Sequence, residues 1–171
     1  MTRYVALLRG INVGGHRTVT MPRLRDAAGA AGLAAPATLL ASGNLLVTSD
    51  LDAAGVLAAL EAAILDEFGF AVETVVLTQD AVRALVAAHP RPEAPGAAIA
   101  FCSGPIDADA QARLAGLATA AETVDVAGTV AYLSFGAGQA TSKLAAGIPR
   151  ALAPLVVTVR NLATSRKLTV A

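Results

Sequence analysis

The chain has 171 residues, 55% of them hydrophobic and 4% aromatic, and thirteen basic side chains balance thirteen acidic ones. That length suits one ordinary domain or two compact small ones, and so apolar and weakly charged a composition excludes a disordered chain. The longest apolar runs are too short for a membrane-spanning helix, the run at 4–8 meets Arg9 too soon for a signal peptide, and a lone Cys102 excludes an internal disulfide framework, so a reducing cytoplasm is the expected location.

Residues 3–13 form a nearly continuous apolar run, the pattern of a strand buried on both faces. A helix follows, with Thr18 or Thr20 as cap, Pro22 in its first turn and Gly32 near its end. Residues 37–41 and 45–48 read as two strands around a tight Ser42-Gly43-Asn44 turn, because glycine and asparagine tolerate positive φ. Asp50 or Asp52 caps a second helix, in which Val56, Leu60 and Ile64 recur at helical spacing, and Gly69 ends it. Residues 71–77 are a fourth strand, and a helix over 79–88 trails it.

Three prolines at 90–96 forbid regular structure there, and this stretch reads as a linker. Beyond it the order repeats. Residues 97–102 are a strand and 107–117 a helix opened by Asp107 and Asp109, which suit the positive end of its dipole. Residues 124–126 and 130–135 form a hairpin, 142–152 a helix, 155–159 the closing strand, and a last helix follows from Asn161. Each half therefore reads βαββαβ plus one helix, the order of a ferredoxin-like plait. The expected fold is α+β, two tandem plaits: 1–89 the first, 90–96 the linker, 97–171 the second.

Charge is unevenly placed along this repeat. Residues 1–25 hold five arginines and no acid, residues 126–171 hold five cations and no acid, and every acid lies between Asp26 and Asp125. If the fold joins the two ends, a basic face results, whose partner is an anion. If it does not, the pattern is solvated surface.

The residues that can carry binding chemistry cluster at strand ends. Arg9, Asn12, Gly14 and Gly15 follow a strand and precede a helix, the setting in which glycine-rich loops cradle phosphates, although the spacing is not G-x-G-x-x-G. Ser42, Gly43 and Asn44 form a second cluster. The run 136–143 departs from a P-loop, since Ser142 precedes Lys143 and Leu144 stands where a magnesium-binding hydroxyl would be. What remains there is a cap hydroxyl with a cation at a helix N-terminus, whose joint positive potential an anion would offset. Arg160 closes the last strand, and Asn161 is placed to cap the last helix. Each of these residues also has a purely architectural reading, as a turn, a cap, an exposed cation at Lys143 or a structural ion pair at Arg160. Cys102 reads as a small core hydrophobe. Asp66 and Glu67 read as a solvated helix end. His16 and His89 lie in separate loops with no ligand set beside them, so neither a metal nor a cofactor is expected.

The motifs Tyr4-Val5-Ala6-Leu7-Leu8-Arg9-Gly10-Ile11-Asn12-Val13-Gly14-Gly15, Ser42-Gly43-Asn44, Thr141-Ser142-Lys143-Leu144 and Val159-Arg160-Asn161 closely resemble the bacterial family known as domain of unknown function 1697. The resemblance implies two alpha-beta plaits and no activity. Family members usually carry glutamine where this chain has Ala41, lysine and proline where it has His16 and Thr20, and tryptophan where it has Leu162.

No reaction follows from the sequence. The leading expectation is a binding protein for a small anionic or phosphate-bearing ligand where the two plaits meet, contacted by Arg9, Asn12, Lys143 and Arg160. Two other classes stand beside it. One is nucleic-acid binding through the same cations, for which an RRM-type plait needs exposed aromatics and the candidate strands offer only Tyr4. The other is an assembly module without a ligand.

Overall fold

The computed structural model describes residues 1–15, 17–136 and 138–171; His16 and the glycine-run residue Ala137 lie outside the described residues. Fifteen short elements run β1 (Thr2–Leu8), α1 (Met21–Ala30), β2 (Ala34–Leu39), β3 (Asn44–Ser49), α2 (Ala53–Phe68), β4 (Thr74–Thr78), α3 (Gln79–Ala87), β5 (Ala97–Cys102), α4 (Ala108–Ala115), β6 (Thr123–Ala127), β7 (Val130–Ser134), one 3-10 turn (Gln139–Thr141), α5 (Lys143–Ala151), β8 (Val157–Asn161) and α6 (Leu162–Leu168). They form two compact units, Met1–Ala84 with Leu168–Ala171, and Leu85–Lys167. The division falls inside α3, and residues 90–96 lie within the second unit.

In the first unit four antiparallel strands take the order β2-β3-β1-β4. Tyr4 pairs with Val47 and Ala6 with both Leu45 and Val76, so β1 and β3 form the middle of the sheet. Tyr4, Ala6, Leu8, Leu45 and Val47 join Leu24 of α1 and Val56, Leu60 and Ile64 of α2 in one core. The alternate residues Val5, Leu7 and Leu46 are fully buried as well, so both faces of the central strands are shielded, as a continuous apolar run demands. Strand β1 ends at Leu8 rather than at residue 13, because Gly10 and Asn12 turn left-handed immediately after it.

Helix α2 begins where Asp52 accepts the Gly55 amide at 2.8 Å, and ends at Gly69. Val56, Leu60 and Ile64 lie four residues apart and form its buried stripe. Each such aliphatic side chain stabilises the fold by about 1.5–3 kcal/mol on burial. Thr20 stands at the N-cap of α1 but makes no side-chain cap bond. The last four residues are tied to this unit by Gln79 Nε2, which donates to the Leu168 and Ala171 carbonyls at 2.9 and 3.0 Å.

The second unit repeats the plan, with strand order β6-β7-β5-β8. Ala98, Ala100 and Cys102 face a core shared with Leu114 of α4 and Leu144 and Ile148 of α5. Ile99, Phe101 and Tyr132 on the opposite face are buried too. Asp107 caps α4 by accepting the Ala110 amide at 2.7 Å. Strand β8 is shifted two residues toward the C-terminus relative to the sequence reading, so Arg160 and Asn161 are its last residues. The fold is thus α+β, with β-α-β-β-α-β occurring twice. No helix among the described residues is long and apolar enough to cross a membrane.

Candidate functional site

Of the residues expected to bind a ligand, Arg9, Asn12, Gly14, Gly15, Ser42, Gly43 and Asn44 belong to the first unit, and Ser142, Lys143, Arg160 and Asn161 to the second. In the first unit two clusters distant in sequence come together. The Leu8 amide donates to the Gly43 carbonyl at 2.8 Å, which seats the β2–β3 turn under the loop that leaves β1. Asn12, with φ +57°, cross-links that loop. Its Nδ2 donates to the Val19 and Ala41 carbonyls, both at 2.9 Å, and its Oδ1 accepts the Val19 amide at 2.9 Å. Both amide hydrogens of Asn12 are thereby engaged by the protein itself.

Asn44 plays the same part within the turn. It is fully buried, and its Nδ2 donates to the Leu39 carbonyl at 2.8 Å and to Ser42 Oγ at 3.0 Å. Arg9 is half-buried and donates to the Glu73 carboxylate at 2.5 Å, while its own amide bonds the Glu73 carbonyl. Gly14 and Gly15 are exposed, with φ +63° and +75°. This part of the candidate site is a pinned loop whose polar side chains Arg9, Asn12 and Asn44 are engaged by neighbouring backbone and side chains.

In the second unit Ser142 is the N-cap of α5. Its Oγ accepts the Ala145 amide at 3.0 Å and donates to the Glu122 carboxylate. Glu122 also accepts the Thr119 amide at 3.0 Å. The Ser142 hydroxyl, then the Thr119 amide, hold the Glu122 carboxyl below the usual carboxylate range, outweighing a small opposing effect of burial. Arg160 is almost fully buried and donates to Thr158 Oγ1 at 2.6 Å and the Val159 carbonyl at 3.0 Å. Burial pushes its guanidinium down to about 10. Asn161 Oδ1 accepts the Thr164 amide at 2.7 Å and so caps α6.

Lys143 is different. It is exposed, opens α5, and makes no hydrogen bond or ion pair among the described residues. It lines two cavities. One, of about 280 Å³, is bounded by Glu122, Phe135, Thr141 and Ser142. The other, of about 710 Å³, lies between α4 and α5 beside Arg113, Leu117, Gly147 and Arg150. Arg113 and Arg150 were not among the residues expected from sequence. Arg150 has a sequence signal nonetheless, since Lys143, Gly147 and Arg150 are spaced four and three apart along one helix face.

Other titratable groups have internal roles. Cys102 is buried, and its thiol is pushed up to about 11 by that burial, which leaves it unreactive. His89, buried within the second unit, bonds the Ala98 carbonyl through Nε2 and accepts the Arg91 amide at Nδ1. Glu67 is held by Arg23 at 2.6 Å. No group of three or more His, Cys, Asp or Glu side chains among the described residues is arranged to hold a metal ion.

No curated protein matches the chain. Its fold is similar to that of the conserved bacterial protein SP0830 from Streptococcus pneumoniae, with a TM-score of 0.79 and 24% identity over 98% of this chain and 97% of that one. At that identity the likeness concerns the fold. The family match extends over residues 1–132, so the loops at 9–15 and 42–44 fall inside it, and Ser142, Lys143, Arg160 and Asn161 fall beyond it. The chain belongs to the family described as Protein of unknown function (DUF1697).

Proposed function

We propose that this protein binds a small anionic ligand, with Lys143 as its principal contact. One observation carries the reading: Lys143 lines two cavities of the second unit while no acid of the described residues pairs with it. A cation in the first turn of a helix adds to the positive end of the dipole instead of offsetting it, and a bound anion relieves both. Arg9, Gly14 and Gly15 form a weaker candidate in the first unit, because Glu73 already neutralises Arg9.

Nucleic-acid binding by the sheet of either plait is disfavoured. Tyr4 and Tyr132 on the central strands are buried, so neither is free to stack on a base. The test is a thermal-shift panel of inorganic phosphate, nucleotides and sugar phosphates on the wild type, Lys143→Ala and Arg9→Ala. The wild type and Arg9→Ala are expected to be stabilised by the same ligand, and Lys143→Ala to lose that response. Equal stabilisation of Lys143→Ala would overturn the assignment.

A further inference from the structure

We infer that the groove between α4 and α5 holds a small amphiphilic anion, an acidic headgroup on an apolar body such as a medium-chain carboxylate. The inference rests on the anion-binding reading above and adds the chemical class of the ligand. The groove measures about 710 Å³, within the range of small-molecule sites. Its apolar lining is aliphatic, Leu117 and Ala151 at the floor with the exposed Ala112 and Ala146 along the rim, and a bare phosphate would leave that lining wet.

Among the described residues three cations border it, Arg113 from α4 and Lys143 and Arg150 from α5, and no acidic residue lines it. Lys143 and Arg150 are seven residues apart, which places them about 10 Å apart along the helix at a rise of about 1.5 Å per residue. Arg113 Nε donates to the Ala151 carbonyl at 3.0 Å, which fixes the guanidinium near the C-terminal end of α5. Gly147 makes room for Leu117. A Cβ on it would stand 2.5 Å from Leu117 Cδ1, so the leucine occupies the floor only because position 147 has no side chain.

The first unit supplies an internal comparison. The matching groove between α1 and α2 is about 330 Å³, is lined by alanines, and carries Asp66 and Glu67 in place of cations. A basic border is therefore not a consequence of the plait itself. No aromatic residue among the described residues lines the basic groove, which leaves nothing there on which a nucleobase could stack.

The test is calorimetric titration of the full chain with decanoate, decanol and inorganic phosphate, using wild type, Arg150→Ala and Ala146→Trp. Ala146 is exposed, so tryptophan there fills the groove from outside while all three cations remain. Decanoate is expected to bind the wild type, about tenfold more weakly Arg150→Ala, a loss matching one charge-assisted contact, and not detectably Ala146→Trp. Decanol is expected to bind more weakly than decanoate. If Ala146→Trp fails to fold, the Arg150→Ala and decanol comparisons decide. Unchanged decanoate affinity in the variants overturns the inference. Phosphate binding as tightly as decanoate overturns it while sparing the anion reading, and silence from every anion overturns both. Salt-sensitive self-association without decanoate binding overturns it in favour of a second copy of the chain.

Discussion

Gly43 approaches Leu8 so closely that a Cβ placed on it would stand 2.8 Å from the Leu8 Cβ, while the Leu8 amide bonds the Gly43 carbonyl at 2.8 Å. The contact joins the end of β1 to the β2–β3 turn. Its backbone at φ +80° adds a second reason why no other residue fits. Left-handed strain costs an L-residue roughly 1–2 kcal/mol, and overpacking adds about 1–3 kcal/mol. Gly43→Ala is therefore expected to destabilise by about 2–5 kcal/mol in chemical denaturation. Gly14→Ala, whose Cβ would meet nothing within 4 Å, is expected to lose only the strain, about 1–2 kcal/mol. Equal losses at the two positions would remove the close approach as the cause.

Asn12 predicts a similar division between holding a loop and holding a ligand. Asn12→Gly keeps the left-handed backbone but gives up three hydrogen bonds. At a net value of about 0.5–1.5 kcal/mol each, and with water replacing some of them, a loss of about 1–3 kcal/mol is expected. Limited proteolysis should then cut faster within residues 9–20. If the variant keeps wild-type stability and loses an anion-induced thermal shift instead, Asn12 is a ligand contact.

The plait was legible because its signals are local. Asp52, Asp107 and Gly69 mark helix ends by side-chain chemistry, and Val56, Leu60 and Ile64 mark a buried stripe by spacing. The strand ends were less legible. The apolar run at the N-terminus continues through Ile11 and Val13, whereas β1 stops at Leu8 on the positive φ of Gly10 and Asn12, which hydropathy does not register. The polar residues were recognised as special, but their partners were not. Asn12 meets Ala41 and Val19, Arg9 meets Glu73, and Ser142 meets Glu122 across 20 residues of chain. Arg113 has no such signal in the sequence, because its place beside Arg150 depends on how α4 packs on α5.

His89 predicts a pH dependence whose sign follows from its contacts. Its Nδ1 accepts the Arg91 amide at 3.1 Å, so that nitrogen carries no proton, and its Nε2 donates to the Ala98 carbonyl at 3.2 Å. Protonation would destroy the acceptor and bury a charge. Burial lowers the imidazole from its ordinary 6.5, with Arg166 and Arg91 acting in the same direction and the Ala98 carbonyl and Asp125 opposing. The unfolded chain then binds the proton more readily, so the contribution is fully present above pH 6.5 and is lost as the pH falls below that value toward the lower folded one. Between pH 7.5 and 5.5 the wild type should lose more stability than His89→Gln, measured by urea unfolding. Parallel profiles for the two proteins would assign the slope to other groups.

Ser142 offers the sharpest separation of structure from binding in the second unit, because it and Lys143 are adjacent but engaged differently. The Ser142 hydroxyl caps α5 through the Ala145 amide and bonds Glu122, whereas Lys143 contributes neither bond. Removing an N-cap hydroxyl costs about 0.5–2 kcal/mol, while glycine at a cap costs only a few tenths. Ser142→Ala is expected to lower stability by about 1–2 kcal/mol, with Ser142→Gly losing less. Lys143→Ala should be neutral or slightly stabilising, since it removes a cation from the positive end of the helix dipole. The two residues thus make opposite predictions for denaturation and for anion binding. A Lys143→Ala protein that is both less stable and still responsive to anions would place the lysine in the scaffold, and the proposed binding role would fall.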